Sequence, residues 1–396
     1  MIAARLVCVT RRFWPLIGGA ERFMGEFAVE AQRQGRSTTL LTARWEPSWP
    51  SSLTYREVPV IRLPQFRARF VGTLVYMAAL RRWLRRHQST YDLVFVSLLK
   101  HDAVAAHWAV KGRRPLVLIA EGSGSTGDCA WQEQAVLGMW IRRICYRADA
   151  VIAPSREIQE ELLQAGYPPQ KIHYLPHGVK IPPERTPERR YQARQSLAAL
   201  HPRFHLQPDE KLAVFVGRLH LGKGLRELVE AWKLVVQRCP NLRLWLVGEG
   251  PMETELLRQI EAAKLHSRVV LTGSFDDVGE ILQAADLFVF PSHREGMSLA
   301  LLEAMAAGLP IVATDIPGNR ALVQNDESAL LVPVDSPKEL AGAVARLAEN
   351  RELAERLAQR ARFVAVMHFS LEETVRRHLE LFDQIYTQFM KNVQIG

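Results

Sequence analysis

Two sets of short, continuous apolar runs, interleaved with helical patterns, leave this 396-residue chain few folds to adopt. In the first half the runs fall near 5–10, 37–42, 92–98, 115–120 and 149–153. In the second they fall near 211–217, 242–247, 268–272, 286–290 and 310–314. Strand-like runs alternating with helices argue for parallel α/β layers. The length exceeds one ordinary core and suits two domains. Between the two sets lies IPPERTPERRYQARQSLAALHPRFHLQPDE (181–210), Pro-rich, charged and without strand signal. It reads as a linker with a surface helix. The expected layout is therefore 1–180, a linker over 181–210, 211–369, and an amphipathic closing helix within 370–396. No internal repeat or low-complexity segment stands out.

The densest chemistry lies between residues 286 and 314. DLFVFPS (286–292) reads as a buried strand broken by Pro291, and EGMSLALLE (295–303) follows it. Ser298 is placed as an N-cap, with the helix running through Ala307 to Gly308 and Pro310 beyond. One acid, Glu295, precedes the unpaired N–H groups of the helix start; the other, Glu303, lies on the helix about a turn and a half further along. Phosphate at the helix start, with hydroxyls on the two acids, suits a nucleotide sugar. The bare pair also fits two ordinary surface acids, so the weight rests on the strand–loop–helix context. Arg218 and Lys223 stand after the strand near 211–217, in GRLHLGKG. A guanidinium that grips oxygens two at a time and a movable ammonium suit a diphosphate, although a cationic loop can equally pair with a nearby acid. Gly18 and Gly19 form a glycine pair before a helix, which lets backbone approach a ligand.

Charge divides unevenly. Residues 1–200 carry a net +13 and the remainder −4. No acid occurs between Glu57 and Asp92, where Arg62, Arg67, Arg69, Arg81, Arg82, Arg85 and Arg86 fall among apolar residues. Such a helix can rest on an anionic bilayer through residues 62–86, or simply place cations at its C-terminal dipole. No nucleic-acid module accompanies it, so nucleic acid is not an expected partner. Cys8, Cys129, Cys145 and Cys239 lack metal spacing and read as free cytosolic thiols. RLVCVT (5–10) already reads as a strand, so no leader is expected, and no stretch approaches an uncharged membrane span. The expected location is the cytoplasm, with the first domain able to lie on the inner face of the cell membrane.

The segment from Asp286 to Thr314 resembles the signature of retaining glycosyltransferase family 4. VTRRFWPLIGGAER (9–22), DAVIAPSREIQEELLQAGYPPQKIHYLPHGV (149–179), VFVGRLHLGKGLRELVEAW (214–232) and LWLVGEGP (244–251) resemble further family segments in the same order. The resemblance implies the GT-B fold: two Rossmann-like parallel-sheet domains facing across an interdomain cleft, with the closing helix returning to the first. It implies transfer of a sugar from a nucleotide-diphosphate sugar to a saccharide or lipid-linked acceptor, with retention, without metal or other cofactor. Surface polysaccharide or glycolipid assembly is the implied setting. By the same resemblance Arg218 and Lys223 contact the diphosphate, Glu295 the donor sugar and Glu303 the ribose. The N–H groups of Met297, Ser298 and Leu299 meet phosphate. Gly248 (in LVGEGP) and Gly273 (in LTGSF) each follow a strand at the carboxyl edge where ligands bind, the second segment lying against the base through its main chain, and the Gly18-Gly19 loop lies beside the diphosphate and the acceptor; the glycines of LVGEGP and LTGSF equally fit ordinary turns.

The chain departs from the family at two places. Glu121, in LVLIAEGSGSTGD (116–128), stands where many members carry a histidine near the donor sugar, and His177 in LPHGV stands where asparagine is usual. Glu121 is kept as a catalytic candidate that bonds a sugar hydroxyl or orients the acceptor, and His101 is the nearest histidine. Two alternatives stay open: a nucleotide-sugar epimerase of similar fold, and a catalytically silent nucleotide-sugar-binding subunit. A nicotinamide oxidoreductase fits poorly, because GGAER does not complete a dinucleotide glycine fingerprint.

Overall fold

Strands form where the sequence is apolar without interruption, because both faces of each sheet are covered by helices. The computed structural model describes residues 2–16, 18–66 and 68–395, the side chains of Arg69, Thr126, Gln394 and Ile395 excepted. Contacts divide the chain into two units, Met1–Gly178 with Leu371–Gly396, and Val179–Ser370.

The first unit holds β1 (Arg5–Val9), β2 (Ser37–Arg44), β3 (Ser52–Tyr55), β4 (Val58–Pro64), β5 (Leu93–Ser97), β6 (Leu116–Ile119), β7 (Ala150–Ala153) and β8 (Ile172–Tyr174). They form one sheet in the order β3-β4-β2-β1-β5-β6-β7-β8, parallel except for the β3/β4 hairpin. Its helices are α1 (Gly19–Arg33), α2 (Arg69–Arg86), α3 (His101–Val110), α4 (Asp128–Gln134), α5 (Gly138–Cys145) and α6 (Arg156–Gln164). Three strands go beyond the five expected. The hairpin turns on Arg56 and Glu57, both at positive φ (46° and 74°), without the Asn-Gly or Asp-Gly that normally advertises such a turn. Pro59, Arg62 and Pro64 interrupt the apolar signal of β4, and His173 that of β8.

The second unit begins with α7 (Pro187–Leu200). Then come β9 (Lys211–Val216), α8 (Leu225–Arg238), β10 (Leu242–Val247), α9 (Glu253–Ala262), β11 (Val269–Gly273), α10 (Gly279–Ala284) and β12 (Leu287–Phe290). The unit ends with α11 (Leu299–Ala306), β13 (Ile311–Thr314), α12 (Pro317–Arg320), β14 (Leu330–Val332), α13 (Pro337–Glu349) and α14 (Arg351–His368). The sheet is all parallel in the order β11-β10-β9-β12-β13-β14. Residues 181–210, read from sequence as a linker, belong to this unit. Ala193 and Leu197 of α7 are buried in its core. Arg190 and Arg194 both bind Asp286, at 2.5 and 2.6 Å, and the same carboxylate accepts the Leu212 N–H at 2.8 Å. The charges that looked like a solvated surface fasten α7 to the sheet.

The closing helix α15 (Leu371–Ile395) packs on α1 of the first unit. Asp383 accepts from the Ala3 N–H at 2.8 Å and pairs with Arg36 at 2.6 Å. Its buried His378 sits among Phe23, Phe27, Phe95 and Phe382. Each unit has its own apolar core.

Candidate functional site

In the second unit the polar loops gather at the carboxyl ends of the strands, where open α/β sheets offer backbone to ligands. β9 ends at Val216, and Gly217 is followed by exposed Arg218, which makes no ion pair among the described residues. A short 3-10 turn, Leu221–Lys223, then leads to Gly224, the left-handed residue (φ 64°) that starts α8. Glycine is required there: a Cβ would lie 2.0 Å from the Pro291 carbonyl oxygen. This contact clamps the Lys223 loop onto the end of β12, and the His293 N–H donates to the Gly222 carbonyl at 3.0 Å. As a result Lys223 Nζ reaches Glu295 Oε1 at 2.5 Å, with both side chains largely buried. Two of the residues singled out from sequence, 72 positions apart, thus form one ion pair. Glu295 is held from below as well, since a Cβ on Gly318 would lie 2.1 Å from its carbonyl oxygen.

Glu303 lies on α11, half-buried. Ser298 caps that helix, its Oγ accepting from the Leu301 N–H at 3.2 Å. The Leu302 N–H goes to the Ser298 carbonyl, which leaves those of Leu299 and Ala300 as the helix's open donors. Ala300 was not among the expected contacts, although the cap position implies it. The helix closes as expected: Leu309 N–H bonds to Ala304, Gly308 N–H bonds to Met305, and Gly308 is at φ 68°. Gly248 packs against the neighbouring turn, where a Cβ would meet the Gly217 carbonyl oxygen at 2.0 Å, and its N–H donates to Gly273 at 2.9 Å. Gly273 itself, at φ 80°, faces open space. Beside this group, His293 Nε2 lies 3.6 Å from Glu227 and 3.2 Å from Asp335, whose ligand atoms could share a cation. Asp335 is 67% exposed, and these contacts also suffice as surface ion pairs.

In the first unit, Gly18 caps α1 and its N–H donates to Glu21 Oε2 at 3.0 Å. Burial raises the Glu21 pKa, against the opposing pull of Arg12. Gly19 has open space around it. Glu121 follows β6, and its Oε2 lies 3.2 Å from His177 Nε2. The two departures from the family pattern therefore touch each other. Both are largely buried, and His177 packs on Phe23 with ring centroids 4.1 Å apart. The Glu121 N–H donates to Asp128 Oδ2 at 2.8 Å, and the other Asp128 oxygen lies 3.6 Å from Lys100. Burial pushes the Asp128 carboxyl up to about 6, with Lys100 opposing. Asp128 and Lys100 escaped notice in the sequence because nothing in their spacing ties them to Glu121. His101 is placed elsewhere: it packs on Trp131 at 5.3 Å, and burial lowers its pKa.

Each unit is thus a Rossmann-like layer with paired charges at the carboxyl edge of a parallel sheet, the architecture of a two-domain GT-B protein. The family description Glyco_transf_4, Glycosyltransferase Family 4, matches residues 17–181, and Glycosyl transferases group 1 matches residues 199–363. The chain belongs to glycosyltransferase family 4. Among relatives, the putative glycosyltransferase EpsD of Bacillus subtilis (strain 168) is 31% identical over 54% of this chain and 54% of its own length. The chain therefore spans about half the length of that relative. The putative teichuronic acid biosynthesis glycosyltransferase TuaC of the same organism is 29% identical over 80% of this chain and 82% of its own. Among solved structures, Anabaena HepE in complex with UDP and glucose superposes with a TM-score of 0.77 at 22% identity. That match covers 96% of this chain and 99% of the other.

Proposed function

We propose that the protein transfers a glycosyl group from a nucleoside diphosphate sugar to a saccharide or lipid-linked acceptor, with retention and without a metal ion. The observation that carries this reading is the Lys223–Glu295 pair, held at 2.5 Å beside the capped start of α11. It puts a cation for phosphate and a carboxylate for hydroxyls within hydrogen-bond distance of each other. Arg218, Lys223 and the open N–H groups of α11 take the diphosphate, Glu295 the sugar and Glu303 the ribose. The similarity to a protein that holds UDP and glucose supports uracil as the base. The similarity to proteins named for lipopolysaccharide core and teichuronic acid biosynthesis supports a cell-surface glycan as product.

In the reaction the bond from the anomeric carbon to the β-phosphate oxygen breaks and a bond to the acceptor hydroxyl oxygen forms on the same face. The hydroxyl proton passes to the departing diphosphate. Arg218 and Lys223 stabilise the charge that develops on that leaving group, which is where fixed cations lower a barrier most. Glu121, with His177 behind it, orients the acceptor. The enzyme works in the cytoplasm, with its first unit on the inner membrane face.

Calorimetry with UDP-, GDP- and ADP-sugars, with and without magnesium, tests the donor assignment. Selective, magnesium-independent binding that Lys223→Ala and Arg218→Ala weaken at least tenfold is expected. Undiminished binding in both variants overturns the assignment, and release of an altered free sugar without acceptor identifies an epimerase instead.

A further inference from the structure

Charge that the proposed reaction does not use falls in two places. In the first unit the basic stretch divides: Arg62 is 4% exposed, donates to the Trp14 carbonyl at 2.8 Å and lies over the Trp49 ring, so it belongs to the fold. Arg67 and the Arg69 side chain lie outside the described residues, and Arg81, Arg82, Arg85 and Arg86 are exposed along the last turns of α2. In the second unit the unused charge is negative and gathers around one histidine.

Three loops meet there. Glu227 stands in the first turn of α8, His293 in the loop after β12, and Asp335 between β14 and α13. One ligand atom from each lies within 4.8 Å of the others. His293 Nε2 is 3.2 Å from Asp335 Oδ1 and 3.6 Å from Glu227 Oε2. A tetrahedral Zn²⁺ with nitrogen and oxygen ligands at about 2.0–2.2 Å sets neighbouring ligand atoms about 3.3–3.6 Å apart. The two spacings at His293 match that edge.

As ion pairs, the same contacts fall short in two ways. An imidazolium brings one positive charge to two carboxylates, and neither Glu227 nor Asp335 pairs with a lysine or arginine among the described residues. The helix dipole favours an acid in a first turn, which accounts for Glu227 but not for Asp335. In addition, Nε2 is shut off from solvent yet forms no hydrogen bond among the described residues. Glu227 is beyond hydrogen-bond reach, and Asp335 is near enough but stands off the N–H axis. A ring nitrogen flanked by two carboxylate oxygens, neither of them hydrogen-bonded to it, has the disposition of a ligand to an ion that all three share.

We propose that Glu227, His293 and Asp335 form a Zn²⁺ site that clasps the three loops together. Imidazole with two carboxylates suits Zn²⁺, whereas Mg²⁺ takes an octahedron of oxygens. Asp335, 67% exposed, is the side from which the ion enters and from which water completes the fourth position. The clasp is joined to the donor loops without sharing their residues. The His293 N–H donates to the Gly222 carbonyl at 3.0 Å, next to Lys223, and Glu295 follows His293 by two positions. The ion takes no part in the transfer chemistry, so the site stands apart from the donor assignment.

The test is calorimetry of the full chain, freed of metal by chelation, with Zn²⁺ and with Mg²⁺, together with thermal unfolding with and without Zn²⁺. No UDP-sugar is present, so the outcome is independent of the donor assignment. His293→Ala, Glu227→Gln and Asp335→Asn are compared with wild type and with His266→Ala, an exposed histidine elsewhere in the second unit. The expected result is one Zn²⁺ per chain in wild type and His266→Ala, with affinity about tenfold or more weaker in each of the other three. Without metal, Asp335→Asn should unfold at the wild-type midpoint; with Zn²⁺, only wild type and His266→Ala should gain. No Zn²⁺ binding at submillimolar ion overturns the proposal. So does binding that the three ligand variants keep, binding that His266→Ala removes, or Mg²⁺ bound as tightly as Zn²⁺.

Discussion

Glu121 and His177 are coupled in the folded protein, and a double-mutant cycle reads that coupling directly. Their side chains are 11% and 4% exposed and meet at 3.2 Å. Removing either one leaves its partner buried without its bond, a loss of about 1.5–3 kcal/mol for a hydrogen bond to a charged group. Removing both leaves neither of the two stranded by the other's loss, so the double variant Glu121→Ala/His177→Ala should lose about 1–2 kcal/mol less than the sum of the singles. The packing of His177 on Phe23 is lost in both His177 arms and cancels. The Glu121 N–H bond to Asp128 is backbone and survives all four forms. Urea unfolding followed by tryptophan fluorescence is the suitable assay, because seven of the nine tryptophans lie in the first unit. Additivity of the two substitutions, within about 0.4 kcal/mol, would refute the pairing.

Gly224→Ala, forced to φ 64° with its Cβ on the Pro291 carbonyl, should cost the second unit about 2 kcal/mol or more and weaken nucleotide-sugar binding. Gly222→Ala meets nothing and should be neutral in the same thermal and calorimetric assays; equal behaviour of the two would refute the clamp. Burial holds the His378 imidazole down to about 4, whereas the unfolded chain takes up that proton near 6.5. Its contribution to stability is therefore complete above about pH 6.5 and lost, by about 3 kcal/mol, as pH falls through 4. His378→Leu should flatten that acid limb in urea titrations at pH 7 and 4.5, and an unchanged pH slope counts against it. Asp286→Ala leaves Arg190 and Arg194 without their shared partner and should destabilise the second unit by about 3 kcal/mol, read from its unfolding midpoint. Glu295→Gln releases Lys223, so affinity for UDP should rise a few-fold while the preference for UDP-sugar over UDP falls. Calorimetry with both ligands checks this, and a parallel loss for both contradicts it.

The layered α/β fold was legible because parallel strands and their covering helices write it in continuous apolar runs. The site loops of the second unit were legible because Ser298, Gly224 and Gly308 have fixed conformational duties there. What escaped was encoded without local signature. The β3/β4 hairpin turns on two non-glycine residues at positive φ. The attachment of α7 depends on Asp286, about 90 positions from the arginines it binds. Such contacts are settled by tertiary packing, and a pattern read along the chain registers them only as charge. Similarly, Arg62 read as part of a basic surface because its burial against Trp49 is decided by where β4 lies.

The two groups of candidate residues share one electrostatic design. Lys223 is met by Glu295, and Glu121 by His177, so each of these two acids is already engaged by a partner within its own unit. On the proposed assignment, a diphosphate entering beside Lys223 would compete with a carboxylate already in place, and the sugar would then satisfy that displaced carboxylate with its hydroxyls. Phosphate and sugar are therefore recognised as one exchange of partners rather than as two independent contacts. On that assignment, a nucleotide without its sugar would leave Glu295 with a lost cation and no hydroxyl, so the site would favour the nucleotide sugar.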